Sequence, residues 1–230
     1  MPITISETYP PKHPYERHLS AVICCDRSGS MRDEPIRQLN EAMKYFGTEL
    51  GEDSLSQGRI DVSIISFGSD VTTDMGFRSA EEYQAPTFTA SGGTSMNQAI
   101  NEALDALEAR KAEYKQLGMT YYRPWLFVFT DGYATDGHLE ASTKARLQDY
   151  IERKKVLYIP MGLGKSADIN ALQSYYPFSA EAKPVLKCEP GALKDAFKWL
   201  SDSMSITSKS DPNLGSIQSA PLPTTIPLAL

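Results

Sequence analysis

From Leu19 to Cys25 the chain is apolar at every position except Ser20, over the length of a single strand. A strand with one wet face alternates apolar and polar side chains, so an unbroken apolar run of this length reads as a strand covered on both faces. Such strands sit in the middle of parallel sheets, where helices pack above and below. The run ends at Cys25-Asp26-Arg27-Ser28-Gly29-Ser30-Met31.

The chain downstream alternates strand and helix signals. Asp33-Glu34-Pro35 supplies acidic residues and a proline suited to a first helical turn, ahead of Ile36, Leu39, Met43, Phe46 and Leu50 on one helical face. Arg59 to Phe67, a Gly68-Ser69 break and then Val71, Thr73 and Met75 form a hairpin signal. A connecting loop is expected between Glu81 and Ser91. Met96, Ala99, Ile100, Ala103, Leu104 and Leu107 recur at helical spacing. Trp125 to Phe129 reads as a buried strand, Leu139 to Ile151 as a helix, and Val156 to Ile159 as a strand. A short helix around Ile169 and Leu172, a last strand at Val185 and Leu186, and a helix from Leu193 to Met204 complete the pattern.

This alternation predicts an α/β fold: a doubly wound, mostly parallel central sheet with one short antiparallel edge strand and helices on both faces. The expected organisation is an N-terminal extension over residues 1–17, one domain over 18–204, and a Ser/Thr/Pro-rich tail over 205–230. Helices and central strands tolerate the prolines of that tail poorly, so it is expected to be extended or mobile. Its apolar end, Ile226-Pro227-Leu228-Ala229-Leu230, is alternatively suited to dock in a groove of this chain or of a neighbour.

Composition narrows the function. The formal charge of -6, with no basic stripe, disfavours binding to nucleic acid, which depends on lysines and arginines at phosphates. No apolar run approaches the roughly 20 residues of a membrane span. Met1 to Tyr15 carries four prolines and lacks a secretory pattern, and the three cysteines form no CxxC pair, so a cytoplasmic protein without a disulfide framework or a zinc site is expected.

In doubly wound folds ligands bind beyond the carboxyl ends of the strands, and Asp26 and Asp131 both fall where a predicted strand ends. Asp26, Ser28 and Ser30 occupy alternate positions, so a chain that stays extended directs all three side chains to one side. Thr94, in Gly92-Gly93-Thr94-Ser95, and Asp131 lie at other predicted turns. Together they offer the oxygen donors that magnesium prefers, with manganese or calcium as alternatives. An ion held mainly by neutral hydroxyls keeps much of its charge and attracts an anionic oxygen from outside. Taken singly, each of these residues has an ordinary role in turns or caps. Asp136 is expected as a solvated turn or a helix cap, and Trp125 and Phe127 as core.

Asp26-Arg27-Ser28-Gly29-Ser30, followed by Thr94 in its Gly-Gly-Thr-Ser and by Asp131 in Thr130-Asp131-Gly132, resembles the metal-ion-dependent adhesion site of von Willebrand factor type A domains. All five motif positions match, and the resemblance covers Leu19 to Met204. It implies the ion on the upper sheet edge and a partner protein whose Asp or Glu completes the coordination. More narrowly, Gly29-Ser30-Met31 with Glu34-Pro35-Ile36 and Leu39-Asn40, Arg110-Lys111 with Tyr114-Lys115, and Tyr121-Tyr122-Arg123-Pro124-Trp125 are similar to the bacterial tellurium-resistance type Y group. That resemblance implies an intracellular scaffold of stress and metal-resistance systems with kinase and phosphatase partners. Arg27 departs from the small or hydroxylated residue common at its position. It is expected either to neutralise Asp26 or Asp131 or to grip an acidic partner.

Enzymatic readings have less support. Gly164-Lys165-Ser166 suggests a phosphate loop, but Ile159 stands where its first glycine belongs. No Gly-x-Ser-x-Gly elbow occurs, and His13, His18 and His138 show no relay spacing to Ser28 or Ser30. Metal-dependent phosphoester hydrolysis at the same site is the alternative function.

Overall fold

The computed structural model describes residues 9–52, 54–131, 133–165, 167–177, 185–211, 219–226 and 228–229. Its elements run β1 (Leu19–Asp26), α1 (Glu34–Leu50), α2 (Ser54–Gln57), β2 (Ile60–Phe67), β3 (Val71–Ser79), α3 (Met96–Gln116), β4 (Trp125–Thr130), α4 (Glu140–Glu152), β5 (Leu157–Leu163), α5 (Ile169–Gln173), β6 (Val185–Cys188), α6 (Leu193–Lys209) and β7 (Leu228–Ala229). The strands form one sheet in the order β3-β2-β1-β4-β5-β6-β7. β1 pairs in parallel with β2 and β4, and β4, β5 and β6 continue the parallel arrangement.

β1 is buried at all eight positions, as its composition requires. Leu19, Ala21, Ile23 and Cys25 pack into the core that α1 and α6 cover, while Val22 and Cys24 join the core beneath α3, α4 and α5. The period-two geometry of a strand sends successive side chains to opposite faces, and both faces here are apolar. Trp125 and Phe127 of β4 are core residues, as the sequence suggests.

The order reverses at β1: the chain first builds outward through β2 and β3, then returns to place β4 on the other flank of β1. The switch point thus lies between the strands that end at Asp26 and Thr130, with Cys25 opposite Phe129 in register. β3 is antiparallel to β2 and, at nine residues, longer than the short edge strand expected.

The tail differs more. α6 continues to Lys209, through the stretch where composition suggests that the tail begins. Residues beyond it return to the domain: Ile226 is 1% exposed within the core, and β7 adds a second antiparallel edge strand, on β6. Complete burial of an isoleucine contributes about 1.5–3 kcal/mol, and it follows the docking alternative for the apolar end and not the extended or mobile one. Residues 212–218, 227 and 230 of this tail lie outside the described residues, as do 1–8 of the N-terminal extension, Gly132 of the expected turn and Ser166.

The described part of the extension is tied to the lower end of the sheet. Tyr9 donates its N–H to Phe77 O at 3.1 Å and accepts at its carbonyl from Arg110 at 2.9 Å. Among the described residues, no helix is long and apolar enough to cross a membrane.

Candidate metal centre

Asp26 ends β1 with no exposed surface. Its Oδ1 accepts the Ser28 N–H at 2.7 Å and its Oδ2 accepts the Thr130 hydroxyl at 2.6 Å. Both bonds fix the carboxylate toward the gap between β1 and β4. Ser28 keeps an extended backbone, but the chain then turns through a 3-10 segment, Gly29–Met31, and does not stay extended as the alternate spacing suggests. The turn brings Ser30 Oγ within 2.9 Å of Ser28 Oγ and within 2.7 Å of Asp131 Oδ1. Ser30 donates to the carboxylate and a hydroxyl has one proton, so Ser28 donates to Ser30 and the chain reads Ser28, Ser30, Asp131.

Thr94 arrives from the loop before α3. Gly29 N–H donates to Gly92 O at 3.0 Å, joining this loop to the first. Gly92 has φ +76, and a Cβ there would lie 2.3 Å from Ser69 Oγ, so a larger residue is strained and must displace Ser69. Gly93 N–H bonds to Ser69 Oγ and Ser95 Oγ to Ser69 O, fastening the loop to the β2–β3 turn. Thr94 itself is bracketed by Thr135: its N–H donates to Thr135 Oγ1, and its carbonyl accepts the Thr135 N–H, both at 2.8 Å. Upstream, Asn40 of α1 holds Phe88 at both its N–H and its carbonyl, at 2.7 and 2.9 Å.

The third loop follows β4 and closes the ring. Asp136 is buried, and its carboxylate accepts from the N–H groups of Asn97 and Gln98 in the first turn of α3 and from Asn97 Nδ2. It is a cap, as one sequence reading has it, but it is not solvated and it caps a helix that begins forty residues earlier. An anionic acceptor at the amino end of α3 satisfies orphan donors and the helix dipole together. The structure thus brings Asp26, Ser28, Ser30, Thr94 and Asp131 onto three loops bonded to one another at one sheet edge.

Arg27 behaves differently. Its Nε donates to Ser66 Oγ at 3.2 Å and its Nη2 pairs with Asp70 at 2.8 Å, so the guanidinium turns to the β2–β3 hairpin and is 15% exposed. Neutralisation of Asp26 or Asp131 is not what it does here. Neither aspartate makes an ion pair among the described residues. Burial accordingly pushes Asp26 up to about 6 against the hydrogen bonds from Thr130 and Ser28, with the nearby Asp131 adding to the rise. Burial raises Asp131 as well, opposed by the bond from Ser30.

Two carboxylates and three hydroxyls form an oxygen-only donor set, which fits a hard divalent cation. No three His, Cys, Asp or Glu side chains gather among the described residues, so the set owes its donors to serine and threonine. Sequence reasoning gave no role to Thr130, Thr135, Ser69 or Asn40, although Thr130 and Asn40 stand in the motifs that carry the resemblances and Thr130 is a hydroxyl at the end of a buried strand next to Asp131.

The family model of the von Willebrand factor type A domain matches residues 21–175. Among solved structures, the vWF domain of the type V pili tip protein Mfa5 from Porphyromonas gingivalis is similar at 9% identity and a TM-score of 0.63, over 85% of this chain and 98% of that one. The manganese-loaded TRAP protein of Plasmodium vivax is similar at 19% identity and 0.52, over 79% and 74%. Proximal thread matrix protein 1 from the mussel byssus is similar at 13% and 0.55, over 82% of this chain but only 47% of its own, so the chain spans about half of that protein. At these identities the likeness is one of fold. A search of curated proteins gives no match. With the family model covering most of the sheet and all three site loops, the chain belongs to the von Willebrand factor type A domain family.

Proposed function

We propose that this domain is a divalent-metal-dependent protein-binding module. Asp26, Ser28, Ser30, Thr94 and Asp131 hold magnesium, or manganese or calcium in its place, and a partner's Asp or Glu side chain completes the coordination. The observation that carries this reading is the hydrogen-bonded run from Ser28 through Ser30 to Asp131, set beside a buried Asp26 that makes no ion pair among the described residues. A manganese-loaded relative of the same fold supports it.

When bound, the ion supplies positive charge to two carboxylates held in a poorly hydrated edge. The chain's own part is to orient the donors. Thr130 and the Ser28 N–H fix Asp26, Thr135 fixes Thr94, and Asp136 anchors α3 behind them. Arg27 reaches a partner's acidic group only by leaving Asp70, and an exposed pair of this kind is worth about 0–1 kcal/mol. The phosphohydrolase alternative needs a base near the site, but His18 is buried at the opposite end of β1 and bonded to Asp61. We assign the module no turnover.

The finer reading is a cytoplasmic scaffold of a bacterial stress or tellurium-resistance system with kinase or phosphatase partners, resting on the resemblance of Gly29-Ser30-Met31 and Tyr121 to Trp125. A pull-down from the native host in magnesium, repeated in chelator and with Asp26→Ala, tests the function. A partner retained equally by all three samples contradicts it.

A further inference from the structure

The sheet edge opposite the hairpin is closed by the chain's own tail. β6 has four residues, and β7 lies antiparallel on it, with Val185 opposite Ala229 and Leu186 opposite Leu228. The approach to β7 runs back along α6. The Ala220 N–H donates to Ser203 Oγ at 3.0 Å, and the Trp199 indole donates to Ala220 O at 2.9 Å. Thr225 Oγ1 then donates to Asp195 Oδ2 at 2.8 Å. Ala220 and Leu222 lie half-buried against the core, and Ile226 is inserted into it.

These contacts form a linear recognition site. The indole and Ser203 read one backbone unit, Asp195 reads a hydroxyl five residues on, an apolar socket takes the next side chain, and the β6 edge takes the strand that follows. A free edge strand beside an apolar socket invites an extended segment by strand addition. The occupant it fits is the one it holds, because each of its features complements this stretch of sequence.

We propose that the groove between α6 and β6 is an exchangeable strand-docking site, filled by residues 219–226 and 228–229 of its own chain and, on exchange, by the same segment of a second copy. Two chains that trade tails satisfy every contact reciprocally and close a two-fold dimer with no new interface chemistry. The tail is the part to move: its last strand meets β6 over a two-residue ladder, and among its described residues three side-chain hydrogen bonds and one fully buried side chain hold it. Terminal segments that end in so short a ladder open ahead of the global fold.

The test uses the full chain and a labelled synthetic peptide of residues 219–230, followed by fluorescence anisotropy. Ile226→Glu in the chain weakens the internal competitor, so this variant binds the wild-type peptide at least tenfold more tightly than the wild-type chain does. A peptide carrying the same change does not bind. Binding shifts the emission of Trp199, whose indole is part of the site. Should Ile226→Glu unfold the chain, Leu222→Asp, at a half-buried position, is read in the same way. A folded variant, judged by a cooperative thermal transition, that binds the peptide no better than wild type overturns the docking site. Sedimentation equilibrium tests the second copy: wild type populates a dimer that grows with concentration and is lost in Leu222→Asp, whereas a wild type monomeric throughout overturns the exchange.

Discussion

Asp26 and Asp61 lie on neighbouring strands, both without exposed surface, at opposite ends of the sheet. Asp61 is surrounded by cationic and neutral donors. Its Oδ2 accepts from His18 Nδ1 at 2.9 Å and from the Tyr114 hydroxyl, and it pairs with Arg110 at 3.2 Å. Burial alone would raise its pKa, yet the His18 bond and the Arg110 charge hold it below the ordinary value. Asp26 is bonded by the Thr130 hydroxyl and by Ser28, with no cationic partner among the described residues, and burial prevails. The difference separates two settings of a buried carboxylate: Asp61 is given a cation by the chain, and on the proposed function Asp26 is left for a cation from solution. β1 and α3 carry both, since His18 and Asp26 bound β1, while α3 holds Arg110 and Tyr114 near one end and is capped by Asp136 at the other.

The comparison breaks first at Asp61. Asp61→Asn removes the buried carboxylate from Arg110 and leaves it only the partly exposed Glu113, and loss of one partner of a buried pair costs about 3–5 kcal/mol. Chemical denaturation should show a loss of that size. A loss under about 1 kcal/mol would mean that the cluster is not structural.

The pH dependence of stability follows from the same residue. Its folded pKa is depressed, so its contribution is present above the unfolded value, about 3.9, and is lost as pH falls through the folded value. Unfolding free energy should therefore drop between about pH 4 and pH 2 by more in wild type than in Asp61→Asn.

Asp26→Asn should act in the other direction. In chelator it relieves a desolvated charge and stabilises the fold by about 1–2 kcal/mol, while divalent-ion binding is lost. Destabilisation in chelator comparable to that of Asp61→Asn would erase the distinction between the two sites. The smallest effect is expected of Asp70→Ala, which frees Arg27 from an exposed partner: stability should change by no more than about 1 kcal/mol, with metal affinity within about twofold.

Much of the architecture was legible because burial on two faces leaves an unmistakable pattern, as in Leu19 to Cys25, and helical stripes such as Met96 to Leu107 leave another. The five candidate ligands were legible because their residue types stand at three strand ends or turns. What was not legible depends on long-range pairing. Asp136 caps a helix whose first turn is 38 residues upstream, and Arg27 finds Asp70 43 residues away. Arg110 and Tyr114 stood out only through a family resemblance, since nothing local marks a charged residue as fully buried. For the tail, proline and hydroxyl content argues against helices and central strands but cannot choose between a mobile end and the docked one that the apolar Ile226 offers, and the described residues show the docked one.

Calorimetric titration of magnesium into the wild-type chain and into Thr94→Ala is the most direct test of the site. The backbone of Thr94, and not its side chain, makes the bonds to Thr135, so the substitution removes a donor and leaves the loop fastened. Wild type should bind one ion, and Thr94→Ala should bind it at least tenfold more weakly with an unchanged thermal transition in chelator. Equal isotherms for the two chains, or no binding by wild type, would contradict the assignment of this edge as a metal centre.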